Sequence, residues 1–192
     1  MDDTKHSGGF PEMVMPKRDA DCGPQAYDEI AKAYLLAAEL LWKRAKDEPN
    51  LPIIAPLSLN MGLGLELFLK ARLLERGYTH KRLSSRTEFG HNIHKMWMMD
   101  EFTEMRRHAQ KYAEACVSAK RATVRDPTRF TIDWTVEYLG RLYSTETHYA
   151  LRYPQGKTQV PYAQPLLWVM YELVDDPRWC ITSQFLIDKA HH

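Results

Sequence analysis

Glu66 and Lys70 stand four residues apart in the stretch LNMGLGLELFLKARLLERG, with apolar residues on every side. On a helix that spacing puts a carboxylate and an ammonium on one face, here with the stripe Leu59, Leu63, Leu67, Leu73 and Leu74 that should point inward. An unpaired charge on an inward stripe is costly, so each must find an opposite charge or a hydrogen-bond partner. The two can satisfy one another, but a buried pair tends to recruit further donors. His91 in FGHNIHKMW, and Arg152 and Tyr153 in LRYP, sit where the chain should enter or leave helices. The expectation is a polar cluster of Glu66, Lys70, His91, Arg152 and Tyr153 at one end of the fold. Two kinds of work are open to it. One is a buried network that fixes helix register. The other is an anion pocket, with Lys70 and Arg152 facing a phosphate near the free amides of the helix that starts after Asn92.

The elements that must position these groups are helical. From Pro24, an acceptable first-turn proline, Tyr27, Ile30, Ala31, Tyr34, Ala38, Leu41 and Trp42 recur at spacings of three and four, which predicts an amphipathic helix ending near Glu48. Pro49, Pro52 and Pro56 turn the chain, and a second helix is expected from about Pro56 to Arg76, stopped by Gly77. Gly62 and Gly64 each cost that helix roughly 1 kcal/mol relative to alanine, so a close neighbour, either a helix or a ligand, should justify them. Residues 78 to 90 read as a basic, polar connection. Asn92 is a good N-cap for a third helix of about 28 residues, with Ile93, Met96, Trp97, Phe102, Met105, Ala109, Tyr112, Ala113 and Cys116 inward. Asp126-Pro127 stops it. A fourth segment from Phe130 to Tyr153, with Trp134, Leu139, Leu142 and Tyr143, fits a helix better than a strand. After a connection over 154–162, a last helical region follows, divided by Pro177. Four or five antiparallel helices with no βαβ alternation define an all-α bundle.

Length and composition agree with that reading. A chain of 192 residues, 44% hydrophobic and 27% charged, is long enough for one well-buried core, so residues 23–192 are expected to form a single domain behind a mobile tail at 1–22. No apolar run is long enough to span a membrane, and the opening residues lack the basic and apolar blocks of a secretory signal. Three cysteines without CxxC spacing suggest neither a disulfide framework nor a zinc cage, and fit a reducing, cytoplasmic setting. The net charge of +1 hides an uneven distribution: residues 70–129 carry 14 Lys+Arg against 7 Asp+Glu, between two acidic flanks. That excess suits phosphates, or a solvated helical face beside acidic neighbours in the same fold.

Phosphate loops, dinucleotide fingerprints and nucleophile elbows are missing, since there is no GxxxxGK[ST], GxGxxG or GxSxG. His80, His91, His94 and His108 have no carboxylate or cysteine at ligand spacing beside them, so no metal is expected. The five tryptophans, Trp42, Trp97, Trp134, Trp168 and Trp179, read as core and interface rather than as stacking platforms for bases.

The run Leu65-Glu66-Leu67-Phe68-Leu69-Lys70-Ala71-Arg72-Leu73-Leu74, then Gly77, then Gly90-His91-Asn92-Ile93, resembles the helix-two to helix-three signature of the HEPN superfamily. These are small helical bundles found with nucleotidyltransferases and in antiviral and toxin systems. Leu151-Arg152-Tyr153-Pro154 is similar to a stretch that some of those domains carry before their last helix. The resemblance implies a four- or five-helix bundle, often dimeric, that binds nucleotide or RNA without a cofactor, with a nucleotidyltransferase as a partner protein. Nuclease members use an arginine and a histidine four to six residues apart near the fourth helix. Arg141 and His148, with six residues between them, meet that spacing in the expected region, and Arg86 and His91, with four between, meet it elsewhere. Leu142 and Thr87 stand where nuclease members carry a polar residue after the arginine. The expectation is therefore a non-catalytic module that binds nucleotide, RNA or a protein partner. The alternatives are a metal-independent endoribonuclease and a helical adaptor without ligand. In the enzyme, His148 would take the 2′-hydroxyl proton and Arg141 would stabilise the charged phosphorane.

Overall fold

The computed structural model describes residues 22–48, 52–121, 130–143 and 163–179, and among these all regular structure is helical. Helices α1 (Pro24–Asp47) and α2 (Ile54–Glu75) form the principal seam. Two short helices follow, α3 (His80–Ser84) and α4 (Ile93–Trp97), then a single 3-10 turn (Asp100–Phe102), α5 (Thr103–Ser118), α6 (Ile132–Tyr143) and α7 (Ala163–Asp175). The arrangement is an all-α bundle in which α2 touches α1, α4, α6 and α7.

The sequence of α2 explains its central place. Its buried set, Leu57, Met61, Leu65, Phe68, Leu69, Ala71 and Leu73, goes round the helix rather than along one side, and a helix apolar all round belongs in the interior. The expected inward stripe is correspondingly displaced: Leu59, Leu63, Leu67 and Leu74 are only partly buried. Both glycines are explained by neighbouring helices. A Cβ at Gly64 would come within 3.0 Å of the Leu35 side chain and 3.3 Å of the Ala31 carbonyl on α1, and one at Gly62 within 3.3 Å of the Tyr143 ring on α6. Gly77, at φ +84°, ends α2. Its amide donates to Leu74 O and that of Tyr78 to Leu73 O, the paired bonds of a Schellman cap.

Other readings are corrected as well. In α1 the buried side is Asp28, Ala31, Leu35 and Ala38, so Ile30 is 44% exposed. Asp28 turns inward because Arg72 of α2 meets it. The connection over 78–90 contains helix α3, capped by the Thr79 hydroxyl.

The expected long third helix is broken between Trp97 and Phe102, where Met99 adopts an extended backbone. At about 100° per residue, Ile93, Met96 and Trp97 point roughly 160° away from Phe102, Met105 and Ala109. An unbroken helix cannot bury both sets without burying Asp100 and Glu101 as well. The break is held by Trp97 Nε1 donating to Asp133 Oδ1 at 2.7 Å on α6 and by Tyr78 donating to Glu101 at 2.5 Å. Of the tryptophans, Trp97 is fully buried and Trp42 packs edge-on against Trp168, whereas Trp134 is exposed and stacked on Tyr138 instead of joining the core.

No helix among the described residues is long and apolar enough to cross a membrane.

Candidate functional site

Glu66, Lys70 and His91 meet as expected. Lys70 Nζ donates to Glu66 Oε1 at 2.7 Å, with side chains only 9% and 4% exposed. His91 Nδ1 lies 3.0 Å from Glu66 Oε1 and 3.1 Å from Oε2. An ionised carboxylate can only accept, so in this contact Nδ1 carries the proton. The local backbone delivers His91 to this place. Gly90 takes φ +50°, and Asn92 caps α4 by accepting the Lys95 amide at 2.8 Å. The ring then stands edge-on to Tyr143 of α6, with centroids 6.0 Å apart, and keeps its outer side exposed to solvent.

Burial alone would push the Glu66 carboxyl upward. The hydrogen bond from His91 and the charge and hydrogen bond of Lys70 outweigh it and hold the carboxyl below its usual range. Glu66 is therefore an anion at neutral pH, shared between a buried ammonium and a histidine at the surface.

Lys70 also lines a cavity of about 270 Å³ with Tyr27, His80, Lys81, Leu83 and Ser84. Tyr27 and His80 are in contact on its wall, with Tyr27 Oη 3.4 Å from His80 Nδ1 and ring centroids 5.6 Å apart. An ammonium has three N–H donors, and Glu66 takes one. The cavity thus brings two lysines, a histidine and an aromatic face to one opening, a set suited to an anionic group attached to a ring.

Arg152, Tyr153 and His148 lie outside the described residues. Arg141 is on the exposed side of α6 and is ion-paired with Glu137. It follows Gly140, where a Cβ would lie 3.4 Å from the His94 backbone, so α6 passes close to the start of α4. Arg86 is exposed in the chain before Gly90.

Two constellations escaped the sequence reading because their members are far apart in the chain. The first is the buried pair of Arg72 and Asp28, at 2.7 Å, joined by Lys32 at 3.0 Å. A guanidinium in the last turn of a helix that is apolar nearly all round is the available signal. The second joins His108 of α5 to Glu172 and Asp176 near the end of α7, three groups whose ligand atoms lie within 4.8 Å of one another. Carboxylates therefore do stand beside His108, but they come from another helix. That donor set suits a divalent cation, yet Arg178 already donates to Asp176 and lies 3.2 Å from His108 Nδ1. Chiefly through that hydrogen bond, Arg178 holds the Asp176 carboxyl at about 2.

No protein-family model, curated protein or solved structure matches the chain.

Proposed function

We propose that the chain is a HEPN-like helical module that binds a nucleotide or RNA without cutting it. The observation that carries this reading is Lys70, buried against Glu66 and opening onto the cavity it shares with Lys81, His80 and Tyr27. A phosphate there would take the remaining Lys70 donors and the Lys81 ammonium, while a base would have the Tyr27 ring to stack on. Glu66 aims the Lys70 amine by its hydrogen bond, and His91 Nδ1 meets both oxygens of the carboxylate from the solvent side. The excess of cations over residues 70–129 supports the same class of ligand.

A second copy of the chain is the proposed partner within the complex, and a nucleotidyltransferase the proposed partner outside it. Ile30, Leu36 and Leu40 expose 44%, 54% and 59% of their surface along α1, which is the kind of face a homodimer covers. The competing reading, a metal-independent endoribonuclease using Arg141 and His148, draws on their spacing alone.

Labelled single-stranded RNA incubated with the protein and a chelator separates the readings. Retardation without cleavage supports the binder. Cleavage that disappears in His148→Ala supports the enzyme. An unchanged RNA band leaves a helical adaptor.

A further inference from the structure

On the other side of α2 from Lys70, the fold gathers donors that have nothing to donate to. The Arg72 side chain is only 3% exposed. Its Nη2 meets Asp28, while its Nε and Nη1 are buried without a partner. Trp179 Nε1 is buried without a partner as well. Both residues line one cavity of about 40 Å³, together with Glu75, Arg76, Phe102 and Arg178. Buried N–H groups left unpaired are costly, so native structures fill such places with an acceptor.

The cavity has room for roughly three waters or for the oxygens of one phosphate group. Guanidinium and indole N–H groups only donate, so an occupant must accept on several sides. Two further guanidinium groups are fixed at the rim. Arg76 lies over the Phe102 ring at 5.4 Å and donates to Arg72 O at 3.0 Å, and Arg178 lies 5.5 Å from the Trp179 ring. Glu75 is the acidic residue on this wall, and it forms no ion pair with any of these arginines among the described residues. Arg178 and Trp179 also border a larger cavity of about 330 Å³, lined further by Glu104, Arg107, His108 and Lys111, with Glu104 paired to Arg107. Asp28 already pairs with Arg72 and Asp176 with Arg178, and Glu75 stands on the wall, so the donors left over are Arg72 Nε and Nη1 and Trp179 Nε1, which suit a small group with several acceptor oxygens.

We propose that the cavity between Arg72, Arg76, Arg178 and Trp179 is a phosphate-binding site, separate from the Lys70 cavity, with the adjoining space open to whatever carries the phosphate. This site does not depend on the nucleotide or RNA reading of Lys70.

The indole N–H of Trp179 reports on it directly. In ¹H–¹⁵N spectra of the full chain, Trp179→Phe identifies its resonance among those of the five tryptophans. Titration with inorganic phosphate, and separately with adenosine monophosphate, should move that resonance, whereas chloride at matched ionic strength should not. Arg178 is exposed, so Arg178→Ala should remain folded and require about tenfold more phosphate for the same shift. Tighter binding of the nucleotide than of phosphate would place its nucleoside in the larger cavity. Equal binding would restrict the site to the phosphate group. A Trp179 resonance that stays still up to about 10 mM of either probe, that follows chloride equally, or that responds alike in Arg178→Ala overturns the proposal and leaves the cavity to water.

Discussion

Lys70 Nζ donates to Glu66 Oε1 at 2.7 Å, one helical turn apart on α2, with both side chains more than nine-tenths buried. A pair in that position contributes little net stability compared with apolar residues of the same size, but breaking it strands a charge. Lys70→Met alone, or Glu66→Leu alone, should lower unfolding stability by about 3 kcal/mol in urea denaturation. The double variant should recover most of that loss, to within about 1 kcal/mol of the wild type. Additive losses would mean that the two groups do not rely on each other.

The same pair sets a pH dependence. A carboxyl held below its usual range in the folded state stabilises the fold above its unfolded pKa, and that contribution is lost as pH falls through the folded value. Glu66 is such a group. Stability of the wild type should therefore decline below about pH 4, near the ordinary glutamate value. The decline should be less steep in Glu66→Leu/Lys70→Met, which lacks this carboxyl, but should not vanish, because Glu39, Glu101 and Asp176 are also held low and are untouched by the change. Parallel pH profiles for the two proteins would contradict the placement of Glu66.

How much of this was legible in the chain depends on how far apart the interacting residues are. Pro24 and Gly77 marked the outer ends of α1 and α2 to within a residue or two, since both signals act locally. The Glu66 and Lys70 pair was readable for the same reason, and His91 followed from the glycine and asparagine around it. The break after Trp97 was readable in principle, because the apolar phase jumps between Trp97 and Phe102, but a search for one long period passes over it. Arg72 with Asp28, and His108 with Glu172, are 44 and 64 residues apart and are joined only by how the helices pack. Local pattern carries no information about such pairs.

The end of α5 offers a test of backbone strain. Lys120 sits at φ +56°, with its amide bonded to Val117 O and that of Arg121 to Cys116 O, in the place where Gly77 stands at the end of α2. A left-handed residue with a side chain costs about 1 kcal/mol relative to glycine. Lys120→Gly should raise the urea midpoint by an amount equivalent to about that value, less what the more flexible unfolded chain takes back. A lower midpoint would show that the lysine side chain matters more than its backbone angle.

Gly64 tests the α1 and α2 seam from the opposite direction. A Cβ there would press on Leu35 at 3.0 Å and on the Ala31 carbonyl, which is backbone and cannot move aside. Gly64→Ala should destabilise by about 1–3 kcal/mol despite the better helix propensity of alanine. A gain in stability would mean that the helices can separate without loss.

The most direct test of ligand binding is the affinity of a fluorescently labelled single-stranded RNA, followed by anisotropy in chelator, for the wild type and for Lys81→Ala. Lys81 lies at the rim of the Lys70 cavity and is exposed, so its removal leaves the core intact. The account predicts that the wild type binds the RNA uncut, that binding weakens with salt, and that Lys81→Ala binds about tenfold more weakly. Equal affinity in the two proteins, or no binding of RNA by either, would contradict it.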